Sequence, residues 1–245
     1  MGRPLARLLC LMLSFPWIQP DLLRSHIIGG HEAKPHSRPY MAILKSDEGY
    51  VCGGTLIAPQ WVMTAAHCMM EFTVVLGAHN VYHMEKSQQV IGVKSYHMHP
   101  GYDENTYAND MLLLKLDFEA SLNKDVQIMP LPKSRSDLPE GTPCSIAGWG
   151  LIDKDETTST LFEANVTIYN RRKCKAFYPY LEDGMICAGS YNQMRDTSQG
   201  DSGGPMICRG VVHGVVSYGY NSPPGVYARV AYYLRWIESV MESNP

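Results

Sequence analysis

Three short stretches of this chain carry side chains that could make an alcohol reactive. Gly200-Asp201-Ser202-Gly203-Gly204-Pro205 sets one serine in a glycine-dense turn behind a carboxylate. Thr64-Ala65-Ala66-His67-Cys68 offers an imidazole, and Asn109-Asp110-Met111-Leu112-Leu113 a second carboxylate at the mouth of an apolar run. A serine hydroxyl is a weak nucleophile at its free pKa; it needs a base, and the base needs a partner that fixes its tautomer. The three stretches supply nucleophile, base and orienter in the order His67, Asp110, Ser202. A serine in a glycine-rich turn is commonly only a turn residue, but here both partner motifs accompany it. Asp110 leads straight into Met111–Leu114, so its backbone is expected to enter a buried strand. An acid there needs a partner, and His67 is the natural one.

These motifs, with Ile27-Ile28-Gly29-Gly30 ahead of them, resemble the chymotrypsin/trypsin serine proteases. The run from Ile27 to Ala42, containing Glu32-Ala33-Lys34-Pro35-His36-Ser37-Arg38-Pro39-Tyr40-Met41, is similar to the granzyme and mast-cell protease branch. The resemblance extends from Ile27 to near the C-terminus. It implies that Ser202 attacks a scissile carbonyl, that His67 takes its proton and returns it to the leaving amine, and that Asp110 holds the imidazole. It implies an oxyanion hole made by the backbone N–H groups of Gly200 and Ser202. Asp201 would pair with the amino group exposed by cutting before Ile27, since a charged amine in an apolar socket is viable only when matched. The plainer alternative for Ile27-Ile28 is the start of a strand. His26 precedes Ile27 where tryptic activation would need Arg or Lys; Ser25-His26 fits a dipeptide propeptide if the leader is cut after Arg24.

In the same family Asp196 falls at the base of the specificity pocket, where a carboxylate selects Arg or Lys. Gly219 and Gly225 would form open pocket walls, and Ser217 would lie beneath Asp110. The competing placement puts Asp196 on the surface of a polar loop with Asn192, Gln193 and Arg195. Trypsins carry a disulfide beside this pocket, whereas here Ser198 stands at its first position and no cysteine follows Cys208. The wall Tyr220–Pro223 is also short. A chymase-like or otherwise altered specificity is therefore the alternative to cleavage after Arg or Lys. A catalytically silent homologue acting by binding is the rival from another class; the intact set His67, Asp110, Ser202 argues for the enzyme. The implied partners are protein or peptide substrates, an activating peptidase and protein protease inhibitors, with the chain a monomer. No cofactor is expected. No metal is expected either: His79, His83, His97 and His99 read as scattered surface histidines, and the segment after Leu76-Gly77 lacks the acidic residues of a calcium loop. Asn165-Val166-Thr167 is a glycosylation sequon.

The surroundings of these residues are those of a β protein. The chain has 245 residues, 45% of them apolar, enough for a core, and only 18% charged, which argues against disorder. No apolar run is long enough to span a bilayer. Residues 1–26 read as a signal peptide and short propeptide, with Arg3 and Arg7 before Leu8–Leu13. They direct the product to the secretory pathway, and so to the extracellular space or a granule. Loss of Arg3, Arg7, Arg24 and Asp21 would take the net charge from −3 to −5, which does not favour nucleic acid or another polyanion. Cys10 leaves with the leader, and the other six of the seven cysteines form disulfides. Cysteine count alone does not choose the pairs; the resemblance implies Cys52–Cys68, Cys144–Cys208 and Cys174–Cys187.

Short apolar runs between Gly, Pro, Asn and Asp clusters predict two sets of six strands. Tyr40–Leu44, Thr55–Ile57, Trp61–Thr64, Thr73–Leu76, Gln89–Val93 and Met111–Leu116 form the first. Thr142–Gly148, Phe162–Ile168, Met185–Ala188, Pro205–Cys208, Val211–Ser217 and Gly225–Val230 form the second. The proline-bearing segment Leu131–Gly141 joins them. Tyr233, Trp236, Ile237, Val240 and Met241 recur at helical spacing, which predicts a C-terminal helix packed on its own domain. Periodicity alone allows a sandwich or a barrel. The resemblance implies an all-β protease domain over 27–245: two six-stranded antiparallel β-barrels, roughly 27–130 and 131–230, plus the C-terminal α-helix.

Overall fold

A computed structural model describes residues 30–47, 49, 51–153, 156–190, 201–219 and 224–245. The expected leader, Ile27, Asp196 and Gly200 lie outside these residues. In the first half the strands are β1 (His31–Glu32), β2 (Met41–Lys45), β3 (Val51–Ala58), β4 (Trp61–Thr64), β5 (Thr73–Leu76), β6 (Gln89–Met98) and β7 (Leu112–Leu116). In the second they are β8 (Pro143–Gly148), β9 (Leu151–Asp153), β10 (Glu156–Thr157), β11 (Phe162–Ile168), β12 (Met185–Gly189), β13 (Pro205–Cys208), β14 (Val211–Tyr218) and β15 (Gly225–Arg229). Helix α1 is Arg171–Phe177 and helix α2 is Val230–Ser243.

Strands β2-β3-β4-β7-β6-β5 close into an antiparallel barrel. Closure pairs every strand edge and leaves no ladder open to solvent. Its interior is aliphatic: Leu44, Leu56, Val62, Val74, Leu76, Ile91, Leu112 and Leu114 are all buried. β7 is buried along its whole length, with one face lining the barrel and the other covered, so it reads in sequence as a continuous apolar run rather than an alternation. β6 continues five residues past its expected end at Val93, with a register irregularity between Val93 and Ser95. Its polar, half-exposed residues hide this extension from an apolar pattern.

The second barrel closes as β8-β11-β12-β15-β14-β13, since β11 pairs with both β12 and β8. The fold is therefore two six-stranded antiparallel barrels with a C-terminal helix. β11 alternates buried and exposed positions, as a half-buried strand should, and Asn165 of the sequon sits on its exposed side opposite Ser145. Short β1 adds to the outside of β11 through His31↔Glu163 and Glu32↔Phe162. The connection between barrels touches both: the Met129 N–H donates to the Leu56 carbonyl at 2.9 Å, and the Val212 N–H donates to that of Pro130 at 3.2 Å.

Helix α1 was not expected. At seven residues it is too short to show a helical period. Its start is set by the Asn170 side chain, which accepts from the Arg172 N–H at 2.8 Å, and Cys174 is its buried residue. Disulfides join Cys52 to Cys68, Cys144 to Cys208 and Cys174 to Cys187. Helix α2 buries Val230, Tyr233, Leu234 and Ile237 against the cluster that continues into the first barrel. Its far end is tied there by Lys115 of β7. That side chain is only 5% exposed, donates to the carbonyls of Asn244 (2.9 Å) and Pro245, and lies 5.9 Å from the Trp61 ring centre. Replacing Lys115 by Met keeps the packing stem and removes the donor, leaving those carbonyls to water. The expected cost is about 1–2 kcal/mol, read as a lower urea midpoint with an unchanged denaturation slope.

Candidate active site

His67 sits in the single turn of 3-10 helix Ala66–Cys68 that follows β4. Two restraints fix it: Cys68 is bonded to Cys52 on β3, and the His67 backbone N–H donates to Asp110 Oδ1 at 2.9 Å. Its ring Nδ1 lies 2.7 Å from Asp110 Oδ2. A carboxylate only accepts, so Nδ1 carries a proton, and in the neutral ring Nε2 keeps its lone pair. Asp110 is 1% exposed and lies two residues before the start of β7. A third donor reaches it from the other barrel, where the Ser217 hydroxyl of β14 bonds Oδ2 at 2.5 Å. These bonds to an ionised acceptor are short and strong, and they offset the cost of burying the charge. The negative charge is felt nearby: burial first, and then Asp110, pushes the Tyr102 phenol up to about 12.

The loop that delivers Asp110 is held in an unusual shape. Tyr107 and Asn109 both have φ of 56°, in the left-handed region that L-residues seldom adopt. The Asn109 amide donates to the Gly101 carbonyl at 2.8 Å. The Tyr107 ring is edge-on to His67 at 5.7 Å and 5.3 Å from Tyr218. Sequence reasoning did not single out Tyr107, because its position depends on this backbone kink.

Ser202 is half-buried in a turn clasped by the first barrel. Its carbonyl accepts from the Gly53 N–H of β3 at 2.7 Å, and the Gly203 N–H donates to Val216 of β14 at 2.9 Å. Gly203 has φ of +77°, and a Cβ there would overlap Thr64 Oγ1 and the Gly53 carbonyl. Thr64 Oγ1 itself donates to that carbonyl at 2.8 Å. A Cβ on Gly53 would lie 2.9 Å from Gly204 Cα. Glycine inside a strand marks a close backbone approach, so Gly53 carried a readable signal of this contact. The serine turn thus packs against Thr64, three residues before His67.

Asp201, next to the serine, points into the second barrel. It is buried, and its Oδ1 accepts from the Gly150 N–H at 3.0 Å. A Cβ on Gly148 would collide with that carboxylate, so the glycines at the end of β8 make its berth. Gly219 and Gly225 face one another: a Cβ on Gly219 would lie 3.3 Å from Gly225 Cα. The Tyr178 hydroxyl donates to the adjoining Pro224 carbonyl at 2.7 Å. The structure thus brings together His67, Asp110 and Ser217, sets the Ser202 turn against the same seam, and apposes Gly219 to Gly225. The expected surface character of the histidines needs correcting. His83 is exposed, but His79 is buried, with Nε2 2.9 Å from Glu32 Oε1 and its carbonyl accepting from Trp149 Nε1 at 3.0 Å. His97 meets Ser95 Oγ at 2.9 Å and packs on Trp61.

His67, Asp110 and Ser217 thus meet where the two antiparallel barrels join. The profile of the trypsin family matches residues 27–237, and the chain belongs to that family as a serine endopeptidase. It is similar to Duodenase-1 of Bos taurus, with 43% identity covering 94% of this chain and 95% of that protein. It is similar to Mast cell protease 3 of Ovis aries at 43% identity, covering 88% and 89% of the two chains. Granzyme H of Homo sapiens is 39% identical over 95% of this chain and 97% of that protein.

The clasp around the serine turn can be weighed by mutation. Gly203→Ala adds both left-handed strain and a steric clash, for an expected loss of about 3 kcal/mol. Gly210→Ala has the same φ of +77° with nothing within 4 Å, and should lose only about 1 kcal/mol. Thermal unfolding of the two variants side by side checks the difference.

Proposed function

We propose that the protein is a secreted or granule-stored endopeptidase that cleaves after Arg or Lys through an acyl-enzyme intermediate. Ser202 is the nucleophile. His67 Nε2 takes the hydroxyl proton as Oγ bonds to the scissile carbonyl carbon, and the imidazolium then protonates the leaving amine. Asp110 keeps Nδ1 protonated and balances the charge that appears on the ring. Water, deprotonated by the same nitrogen, releases the acyl group. The N–H groups of Gly200 and Ser202 receive the oxyanion. The observation that carries this reading is the 2.7 Å contact between His67 Nδ1 and Asp110 Oδ2, which supports Nε2 as the basic nitrogen.

Activation follows by cutting before Ile27, the new amino group pairing with Asp201. Two features support it: the chain emerges at β1 against β11, and β11 pairs with β8, whose end makes the Asp201 berth. Asp196 at the pocket base selects the basic side chain, and the apposed Gly219 and Gly225 support a wall free of side chains. Asn165, exposed on β11, is the glycan acceptor. Residues 1–26 supply the secretory leader and propeptide, and a separate peptidase removes the latter. Among the described residues no helix is long and apolar enough to cross a membrane. The enzyme acts on polypeptides as a monomer and is restrained by protein inhibitors.

The processed protein is expected to be labelled at Ser202 by a fluorophosphonate probe. Ser202→Ala should abolish labelling and lower kcat on the order of 10⁶-fold. A folded, processed protein that resists the probe would be a binding homologue instead. A positional peptide library should return Arg and Lys before the cut, with Asp196→Ser reducing kcat/KM for those substrates roughly a hundredfold or more. A preference for Phe, Tyr, Leu or Met in that library would replace the basic pocket with the chymase-like alternative.

A further inference from the structure

We propose that a cleft beside the start of α2, separate from the bond-cleaving site, docks an acidic segment of a polypeptide partner. The cleft has a volume of about 430 Å³ and lies between His99, the connection at Arg135, and the first turns of α2 with Tyr232, Arg235 and Trp236. Arg229 at its edge is used internally. Its Nη1 lies 2.8 Å from Asp137 Oδ1 and donates to the Arg135 carbonyl at 3.0 Å, while its Nε donates to the Asp183 carbonyl at 2.8 Å. Asp137 is shared with Arg171, whose Nε is 3.5 Å away. Arg135 and Arg235 are exposed and meet no carboxylate among the described residues. Three guanidinium groups therefore line one cleft with Asp137 committed to one of them, in a chain that has more acidic than basic residues overall.

The remaining walls are aromatic. Tyr232 is 47% exposed, with the Arg229 guanidinium 5.6 Å from its ring centre. His99 lies edge-on to Tyr233 at 5.3 Å and to Trp236 at 5.0 Å. Burial lowers the His99 pKa, and the Gly101 N–H donates to its Nδ1 at 3.2 Å. The ring is thus neutral, with its hydrogen on Nε2, and adds a donor rather than a charge. Two unpaired guanidinium groups beside exposed ring faces suit carboxylates interspersed with apolar side chains, each guanidinium able to take a carboxylate in a bidentate pair. A long uniform polyanion fits less well, because the rest of the chain carries net negative charge. A polypeptide is also the class of molecule that an endopeptidase meets.

The test uses the full processed chain carrying Ser202→Ala, so that the probe survives, and a fluorescein-labelled peptide of Glu, Asp and Leu residues. Anisotropy should show saturable binding that weakens about tenfold in the Arg135→Glu/Arg235→Glu variant. It should also weaken as salt rises from about 0.05 M to about 0.5 M, where charges are screened within a few ångströms. The same double substitution in the active enzyme should leave turnover of a short neutral peptide unchanged, which establishes that the fold is intact. Equal affinity in the two proteins overturns the proposal. So does binding of a sulfated oligosaccharide by a protein that ignores the peptide. Binding is read without catalysis, so failure of this site and failure of the protease reading are separate results.

Discussion

A carboxylate sealed from water is tolerable only where donors are delivered to it, and Asp110 receives them from two directions. The backbone and ring of His67 come from the first barrel, and the Ser217 hydroxyl comes from β14 of the second. Were the barrels to shift apart, the charge would lose a partner and keep its desolvation cost. Satisfying this one side chain therefore sets how the barrels meet, and the same contact fixes which nitrogen of the imidazole is basic. Stability and reactivity share an atom, Asp110 Oδ2.

Close backbone approach extends the constraint. The serine turn leans on Thr64 and Gly53 at distances only glycine permits at Gly203 and Gly53, and Asp201 occupies space that any Cβ at Gly148 would fill. The left-handed residues Tyr107 and Asn109 shape the loop before Asp110, and aromatic contacts with His67 and Tyr218 hold it. The site is built less from side chains reaching across a gap than from main chains pressed together. A substitution one residue from the chemistry can then do as much harm as one within it.

What could be read in the sequence divides along physical lines. β4, β5, β11 and β13 have the bounds predicted for them, because short apolar or alternating runs between turn residues announce themselves. The Ser217 hydroxyl bonds Asp110 Oδ2, a neighbourhood that the family resemblance implied and that strand periodicity does not encode. α1 escaped because seven residues do not complete two helical turns, and the outer part of β6 because its side chains are polar. Tyr107 and the burial of His79 depend on loop paths that no periodicity encodes. Asp196 and Ile27 lie outside the described residues, and the pocket base and new chain end proposed for them rest on motif and neighbours.

The three sulfur bridges have an uneven distribution. Cys52–Cys68 lies within the first barrel, while Cys144–Cys208 and Cys174–Cys187 lie within the second. Among the described residues no bridge crosses the seam, so the lobes are joined covalently through main chain alone: the segment between β7 and β8, and the short run from β1, which pairs with β11, to β2. A single nick between β7 and β8 would turn one molecule into a two-chain assembly whose cohesion is wholly non-covalent. Oxidising conditions would toughen each lobe while doing nothing to keep the pair together.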